Sequence, residues 1–349
     1  MNDFLKSILD GIHMLIPSYG WSIVAFTLLI KLCLLPLDYK SRKGMRKMST
    51  LAPKQAELQK KYGHDQDKLQ RKMQELYKKE GASPMSGCWP MLLSMPILFA
   101  MFAAMRYMAN EQLVQQAFDI LIHGEPVLEP FLWIKNLWMA DSPFAAAWPN
   151  LQSLQMVEEK QWLAIFNTLT ADEVAALASA INMPDLSAAS FVNSGNVLKD
   201  TIAAIGNAMT ALPTYIENTS IVPYLRINLL ITELAVVNGY NGFFILPLLS
   251  AVSQFAMTKL QGNTTPQPVA ANDEKAQQQQ ATSGFMKWFF PLFSLWICAS
   301  STAAFALYWV VTNLFGMASN YLINYHLDRK EKLEAENPAS AAPVKGGLK

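Results

Sequence analysis

The chain has 349 residues, of which 52% are hydrophobic and 16% are charged, and its formal net charge is +1. Few charges and several long apolar runs indicate a helical membrane protein with a sizeable polar portion. Three cysteines in apolar segments and four scattered histidines exclude a disulfide framework and a metal cluster of standard spacing. We find no phosphate-binding loop and no spaced nucleophile–base pair, so we expect a protein that is not an enzyme and holds no cofactor or metal.

Residues 1–17 are predicted to form an amphipathic helix at the membrane surface. Apolar residues recur with the i, i+3, i+4 spacing of one helical face from Phe4 to Ile16. The segment contains Asp3 and Asp10, has neither a basic leader region nor a small-residue cleavage site, and is a poor signal peptide. An interfacial helix explains the pattern better.

Residues 18–38 are predicted as the first transmembrane helix and carry one cation inside an apolar run. The run reads WSIVAFTLLIKLCLLPL from residue 21 to residue 37, and its lysine is Lys31. A charge at this depth costs about 2.5–3.5 kcal/mol on insertion scales, so it needs water, a partner or a route to the interface. Lys31 either snorkels to the cytoplasmic edge or joins a polar stripe with Thr27 and Asp38 on the same helical face.

Residues 39–84 are strongly basic and are predicted as a cytoplasmic hairpin of two helices. Thirteen Lys and Arg residues outnumber five acidic residues, and the helical pattern breaks at residues 63–65 and again at Gly81. The positive-inside rule assigns this charge to the cytoplasm, where it orients the protein and attracts anionic lipids. Nucleic-acid binding is the weaker interpretation, because few aromatic residues interleave with the charge.

Residues 85–108 are predicted as the second span. Pro90 and Pro96 should kink this helix, which membrane helices tolerate when neighbours satisfy the freed carbonyl groups. The segment is also rich in methionine, including Met91 and Met95. Methionines of this kind are usually ordinary core residues, but an adaptable groove for varied apolar segments also favours them.

Residues 109–241 reverse the charge balance, with four basic and thirteen acidic residues, and are assigned to the outer side. Prolines and turn residues divide the region into short amphipathic helices. Thr170 and Glu173 have the capping-box spacing at the start of one of them. Residues 227–237 are predicted as a buried or interfacial helix, because Arg226 and Glu233 make this stretch a poor span.

Three further spans are predicted in the last third of the chain. The third covers residues 242–260 and carries Ser253 and Gln254 on one side, whereas residues 261–284 are predicted as a flexible loop. The fourth and fifth form a tight hairpin over residues 285–327, and the tail 328–349 is predicted to be disordered. Amides at membrane depth more often join helices than bind ligands. The fifth span carries a polar stripe of Tyr308, Thr312, Asn313, Asn320 and Asn324.

Five spans, with the N-terminus outside and the C-terminus in the cytoplasm, satisfy the charge pattern along the whole chain. The sequence contains no inverted repeat, which a small-anion transporter usually has. It also has no Arg- and Ser-rich transit peptide, so we expect a prokaryotic plasma membrane and not a mitochondrion or plastid.

Four stretches closely resemble the YidC/Oxa1/Alb3 family of membrane protein insertases. They read IKLCLLPL from residue 30, LYKKEGASPMSGCWPMLLSMPILFAMFA from residue 76, FLWIKNLWMADSP from residue 131 with FILPLLSAVSQF from residue 244, and FALYWVVTN from residue 305. The resemblance implies an all-α polytopic protein whose five transmembrane helices surround a hydrophilic groove. It also implies that this groove opens to the cytoplasm and the lipid, and that a positive charge lies inside it.

The chain departs from the family pattern at three places. Lys31 stands where the family usually has arginine, which keeps the charge and loses the bidentate geometry of a guanidinium group. Residues 144–241 form a helical extracytoplasmic insertion where the family has a short link. Ser301 stands near the start of the last helix, where a proline is common in the family.

The resemblance predicts an insertase and membrane chaperone that receives nascent membrane proteins in the groove and releases them sideways into the bilayer. Expected partners are those nascent chains, anionic lipids at the basic hairpin and, by resemblance, the ribosome and a Sec-type translocon. The alternatives are an assembly scaffold that acts through the insertion and a small-anion transporter that uses the buried cation. The predicted groove residues are Lys31, Thr27, Ser253, Gln254, Tyr308, Trp309, Thr312, Asn313, Met91 and Met95.

Overall fold

The structure, a computed structural model, describes residues 2–82, 89–228, 233–262 and 274–336. Thirteen α-helices make up most of these described residues. The chain is therefore largely helical, as predicted, but not entirely so, because a two-stranded sheet interrupts the helices. Within the described residues, one helix, Tyr19–Thr50, is long and apolar enough by length and composition to cross a membrane. The other predicted spans stay predictions.

The first four helices are separated by residues that end or begin helices. Pro17 lies between the first two. Gly81, with a positive φ of 57°, ends the fourth, and the side chain of Asp65 caps its start by accepting a hydrogen bond from the Lys68 backbone N–H at 3.1 Å. That hydrogen bond also lowers the pKa of Asp65. The helices are α1 (Asn2–Leu15), α2 (Tyr19–Thr50), α3 (Ala52–Tyr62) and α4 (Gln66–Glu80).

The helices that contain the first two predicted spans continue beyond the predicted span boundaries. α2 continues through Pro36 and past residue 38 to Thr50, so the first apolar run and the start of the basic segment form one helix. α5 (Trp89–His123) likewise runs past residue 108. Its sequence from residue 109 onward alternates apolar and polar residues at helical spacing, so nothing ends it before Gly124, which has φ 88°.

The region after α5 consists of short helices, as predicted, followed by a hairpin that was not predicted. Thr170 and Glu173 form the expected capping box, and the Thr170 backbone N–H donates to the Glu173 carboxylate at 2.7 Å, which lowers the pKa of Glu173. A 3₁₀ helix covers Ala188–Phe191. The α-helices are α6 (Leu151–Gln155), α7 (Glu159–Phe166), α8 (Ala171–Ala180), α9 (Val197–Ala211) and α10 (Pro213–Thr219).

Strands β1 (Ile221–Asn228) and β2 (Glu233–Val237) pair antiparallel where a helix was predicted over residues 227–237. That prediction is wrong for the described residues. The stretch is rich in β-branched and aromatic side chains, which fit a pleated strand, and a short apolar run does not distinguish strand from helix. The register shifts between Ile221 and Arg226, around a proline that cannot donate a ladder hydrogen bond.

Two of the last three helices are longer than predicted, one at its start and the other at its end. α11 (Ile245–Gly262) is followed by α12 (Glu274–Ser300) and α13 (Ala303–Glu336). Residues 274–284 are helical where a loop was predicted, and residues 328–336 are helical where a disordered tail was predicted. Both stretches contain many Ala, Gln, Glu, Lys and Leu residues, which favour helix. The remaining parts of the loop and tail, residues 263–273 and 337–349, lie outside the described residues.

The chain divides into two compact units. The first consists of the described residues in Met1–Thr27, Pro96–Val252 and Pro291–Val311, and the second of those in Leu28–Met95, Ser253–Phe290 and Thr312–Lys349. The first unit has an apolar core built around three buried rings: Trp162 stacks on Phe191 with 5.7 Å between centroids, and Phe118 lies 5.8 Å from Trp162. Phe118 belongs to α5, which also contains most of the predicted second span. The insertion therefore packs against the later part of the same continuous helix.

The insertion joins the rest of the first unit through two antiparallel chain segments, which we call the stem (residues 142–147 and 237–242). Its backbone hydrogen bonds run from Val237 N–H to the Pro143 carbonyl at 3.1 Å and from Ala147 N–H to the Gly239 carbonyl at 2.8 Å. A third runs from Asn241 N–H to the Ala145 carbonyl at 2.9 Å. The chain therefore enters and leaves the insertion at adjacent points.

Truncation of the central ring should unfold the insertion. Phe118 is fully buried, so Phe118→Ala removes its packing and leaves a cavity, and we expect a loss of about 3–5 kcal/mol in the stability of the insertion. Urea-dependent limited proteolysis within residues 144–241 measures this loss. Met156→Ala is the matched control, because Met156 is 60% exposed and should change stability by less than about 0.5 kcal/mol. Equal effects of the two substitutions would contradict the shared core.

Candidate functional site

Lys31 lies half-buried on α2 within the second unit. Among the described residues, its ammonium group has no hydrogen-bond or ion-pair partner. The negative charge of Asp38, two helical turns later on the same face, acts on Lys31 electrostatically without forming a salt bridge. The structure therefore leaves a cation in an apolar helix with capacity to bind an anion.

The other polar residues of the predicted groove that belong to this unit lie on α11 and α13. Asn313 and Ser253 are both buried, and the Asn313 side-chain amide donates to the Ser253 hydroxyl at 3.1 Å. Gln254 and Thr312 are half-buried. The Thr312 hydroxyl oxygen is buried and has no hydrogen-bond partner among the described residues. This pair and its neighbours supply polar groups between two helices, as interhelical amides commonly do.

Three more predicted groove residues belong to the first unit. Thr27 is fully buried, and its hydroxyl donates to the Ile23 carbonyl one turn earlier at 2.6 Å. Tyr308 is buried, whereas Trp309 is half-buried and its ring lies 5.6 Å from that of Phe305. The indole N–H of Trp309 is buried and unpaired within the described part of the chain. Whether these side chains line a groove stays a prediction.

The two predicted methionines differ in what can be described. Met95 is 41% exposed on α5. The Met91 side chain lies outside the part of the chain that the structure describes, although its backbone belongs to the same helix. Met95 therefore offers a flexible apolar surface, which suits contact with varied apolar segments.

Two helical turns along α2 from Lys31, a polar cluster joins Asp38 to Arg42 and Asn320, a grouping that was not predicted from the sequence. The Arg42 guanidinium donates to the Asp38 carboxylate at 3.1 Å and to the Asn320 side-chain oxygen of α13. The Asn324 amide donates to that same oxygen at 2.8 Å, and the Ser319 hydroxyl donates to Asp38 at 3.4 Å. Asn320 is buried and joins α2 to α13, which agrees with the interpretation of the asparagine stripe as a helix-joining feature.

This cluster continues along the same two helices to a second ion pair. The Arg46 guanidinium pairs with Asp328 and lies 3.4 Å from the Glu331 carboxylate. These acidic residues belong to the final turns of α13, in the stretch predicted to be disordered. The sequence signal for the cluster was present: Lys31, Asp38 and Arg42 stand at i, i+7 and i+11 on one helical face.

A second feature that was not predicted from the sequence is a buried carboxylate that holds the start of α11 in the first unit. Asp141 is buried, and its carboxylate accepts hydrogen bonds from the Leu246 backbone N–H at 2.7 Å and the Phe244 backbone N–H at 3.2 Å. The Trp133 indole N–H donates to both of its oxygens at 3.3 Å. A buried carboxylate at a helix N-terminus satisfies free N–H groups and interacts favourably with the helix dipole.

The described residues contain no group of three or more His, Cys, Asp or Glu side chains that could hold a metal ion. The candidate residues that the structure describes offer an unpaired cation, hydrogen-bonding amides and hydroxyls, and exposed apolar side chains. Such groups can attract a carboxylate, satisfy polar backbone groups and contact an apolar helix.

Comparison with known proteins gives one family and a set of similar sequences. The chain matches the family described as "60Kd inner membrane protein" over residues 11–183 and 162–331. It is 47% identical over 138 residues to the membrane protein insertase YidC of Wolinella succinogenes. These aligned residues cover 39% of this chain and 25% of that protein. The corresponding protein of Campylobacter jejuni is 41% identical over 123 residues, covering 35% of this chain and 23% of that one.

A relative from Clostridium perfringens bears the same name and is 37% identical over 148 residues, which cover 41% of this chain and 56% of that protein. The chain thus spans about a quarter of the length of the Wolinella and Campylobacter relatives that it matches, and about half that of the Clostridium one.

Removal of the amide that links α2 to α13 should weaken the second unit. Asn320→Ala leaves Arg42 and the Asn324 amide without their shared acceptor, so we expect a loss of about 1.5–3 kcal/mol in stability in detergent. Asn324→Ala is the matched control, because it leaves the Arg42 contact intact and should cost about 0.5–1.5 kcal/mol. Thermal unfolding of the two variants compares these losses. A smaller effect for Asn320→Ala than for its control would contradict the arrangement.

Proposed function

Because the chain belongs to the 60Kd inner membrane protein family, the YidC/Oxa1/Alb3 insertases, we propose that it inserts nascent membrane proteins into the bilayer. It is an inner membrane protein of the same family as the insertases that it resembles. The proposed activity needs no cofactor, because each step is a transfer of polar or apolar groups between water, protein and lipid.

The observation that carries the proposal is the unpaired, half-buried Lys31 inside the apolar part of α2. A cation in hydrocarbon is stable only with water or a counter-charge. Lys31 would therefore keep water inside the proposed groove and attract acidic residues of the incoming chain. Lysine presents a point charge, so it serves by Coulomb attraction and not by bidentate binding of a carboxylate.

Polar groups around this charge would reduce the cost of moving a hydrophilic tail across the bilayer. Each unsatisfied polar group of that tail costs several kcal/mol in hydrocarbon. The predicted groove residues of the second unit, Ser253, Gln254, Thr312 and Asn313, offer hydroxyl and amide groups in place of lipid. A shorter path through hydrocarbon then lowers the barrier to translocation of the tail.

Release into the lipid would follow from apolar contacts. Met95 is exposed, and Trp309 is half-buried, so both can contact an apolar segment as it leaves the groove. Tyr308 and Met91 are proposed for the same role from their positions in the sequence. Burial of the segment in lipid supplies the driving force, and the membrane potential acts in addition on acidic tails.

The proposed topology has five spans, an outside N-terminus and a cytoplasmic C-terminus, with α3 and α4 in the cytoplasm. Among the lysines of residues 40–82, those other than Lys47, Lys54, Lys68 and Lys72 form no described hydrogen bond or ion pair, so they can attract anionic lipids. The ribosome and a Sec-type translocon are further proposed partners. The acidic residues Glu331, Glu334 and Glu336 offset the basic residues of the tail, so we do not propose strong tethering of the ribosome through it.

Substitution of Lys31 tests the proposal in an insertase-depleted bacterium. We expect the wild type and Lys31→Arg to restore membrane insertion of a substrate with an acidic outer tail, and Lys31→Ala and Lys31→Glu to fail, because only the first two retain the cation. Lys40→Ala is the matched control, since Lys40 lies on the same helix but is exposed, and it should behave as wild type. If all variants restored insertion equally, Lys31 would be a snorkelling lysine and the charged-groove mechanism would be wrong.

A second candidate is an assembly scaffold that acts through the insertion, which forms an apolar core with α5 and is bounded by the stem. Deletion of residues 148–236 with a short Gly-Asn link keeps both stem segments, and Phe118→Gln in the same variant makes one of the newly exposed α5 positions polar. An insertase should keep its Lys31-dependent activity in this variant. The scaffold is favoured if the deletion abolishes activity while Lys31→Ala, in the full chain, does not.

A further inference from the structure

We propose that three exposed apolar side chains beside the starts of α2 and α11 form an apolar rim (Trp21, Leu132 and Phe243) that lies in the boundary between lipid headgroups and acyl chains. Their exposed fractions are 55%, 68% and 54%, and all three belong to the first unit. The inference depends on the chain being an inner membrane protein and not on its proposed insertase activity. Its occupant is the phospholipid leaflet itself.

Contacts within the first unit hold the rim residues near one another. The rings of Trp21 and Phe131 meet edge to face with 5.4 Å between centroids, which sets Leu132 beside the start of α2. Gly20 allows this approach, because a Cβ atom there would overlap the Phe131 ring. The Lys135 backbone N–H donates to the Asn241 carbonyl at 3.1 Å. This hydrogen bond holds the chain just after Leu132 beside the chain just before Phe243.

The backbone at the rim is unusual for its side chains. Leu132 occupies a two-residue turn in which Phe131 and Ile134 exchange backbone hydrogen bonds of 2.9 Å, and its φ is 55°. Phe244, next to Phe243, has φ 65°. Gly, Asn and Asp usually fill such positions, and a turn in water commonly carries them. Of the three rim residues, Leu132 therefore has a bulky apolar side chain in a conformation that disfavours it, which marks this turn as a place where an apolar side chain has a function.

Chain continuity identifies lipid as the occupant. Trp21 lies in the first turn of α2, the described helix that is long and apolar enough to cross a membrane. Phe243 precedes the apolar helix Ile245–Leu260 by two residues. The rim therefore lies where two apolar helices begin, and a boundary between water and hydrocarbon is expected at such a position.

The polar groups beside the rim are those expected at a lipid headgroup. The Lys135 ammonium lies 4.4 Å from the centre of the Tyr240 ring, and that ring lies 5.5 Å from the ring of Phe243. Lys135 is exposed, so its charge is accessible to a phosphate group. Tryptophan, tyrosine and lysine together anchor proteins at membrane interfaces, because each combines an apolar body with a polar end.

Spin-label accessibility in nanodiscs tests the rim. The full chain, with Cys33, Cys88 and Cys298 replaced by alanine, receives a single nitroxide-labelled cysteine at Leu132, at Phe243 or, as the matched control, at Met156 of the insertion. All three side chains are exposed, so the label should not disturb packing, and far-UV circular dichroism checks that each variant folds. Collision rates with oxygen, which concentrates in lipid, and with a water-soluble nickel chelate are then measured.

We expect the ratio of oxygen to nickel collisions to be severalfold higher at positions 132 and 243 than at position 156. A ratio at the rim equal to that of the control would mean that the rim faces water, and would overturn the proposal. Suppression of both collisions at the rim would mean that a protein, either a partner or a second copy of this chain, covers it, and would also overturn the proposal. Neither outcome bears on the insertase activity, which the Lys31 variants test separately.

Discussion

The free-energy cost of a charge inside an apolar helix is the constraint on which the proposed site depends. Lys31 has no partner among the described residues, yet the helix around it is the one that meets the requirements for a span. Such a residue destabilises the helix in lipid unless water or a substrate anion compensates for the lost hydration. Stability and the proposed function are therefore coupled at this position: the charge that makes the helix costly to insert is also the one that we propose attracts an acidic tail.

The two units are stabilised by different physical means. The first unit buries stacked aromatic rings, among them Trp162 and Phe191, in a core typical of a water-soluble domain. The second joins its helices through a guanidinium, a carboxylate and side-chain amides centred on Asn320. In lipid the hydrophobic effect does not drive apolar helices together, so hydrogen bonds and close packing hold them instead. Aromatic packing and side-chain hydrogen bonds thus stabilise different parts of the same chain.

Local chemistry made part of the fold predictable from the sequence. The helix end at Gly81 and the capping box of Thr170 follow from residues within one turn of each other. The link between Arg42 and Asn320 was not predicted as a pair, because 278 residues separate its partners and no local pattern connects them. The hairpin of β1 and β2 was missed for a different reason, since a short run of Ile, Val and Leu has the same composition in a buried helix as in a strand.

The stem has a consequence for how this chain tolerates changes in length. Its two segments are fixed against each other by backbone hydrogen bonds, so the ends of whatever lies between them are already close together. The entropic cost of closing a loop grows only with the logarithm of its length, and here the stem itself holds the two ends together. A folded module of any size whose own termini are adjacent could thus occupy this position at almost the same entropic cost, which makes the stem a natural point for domain exchange within the family.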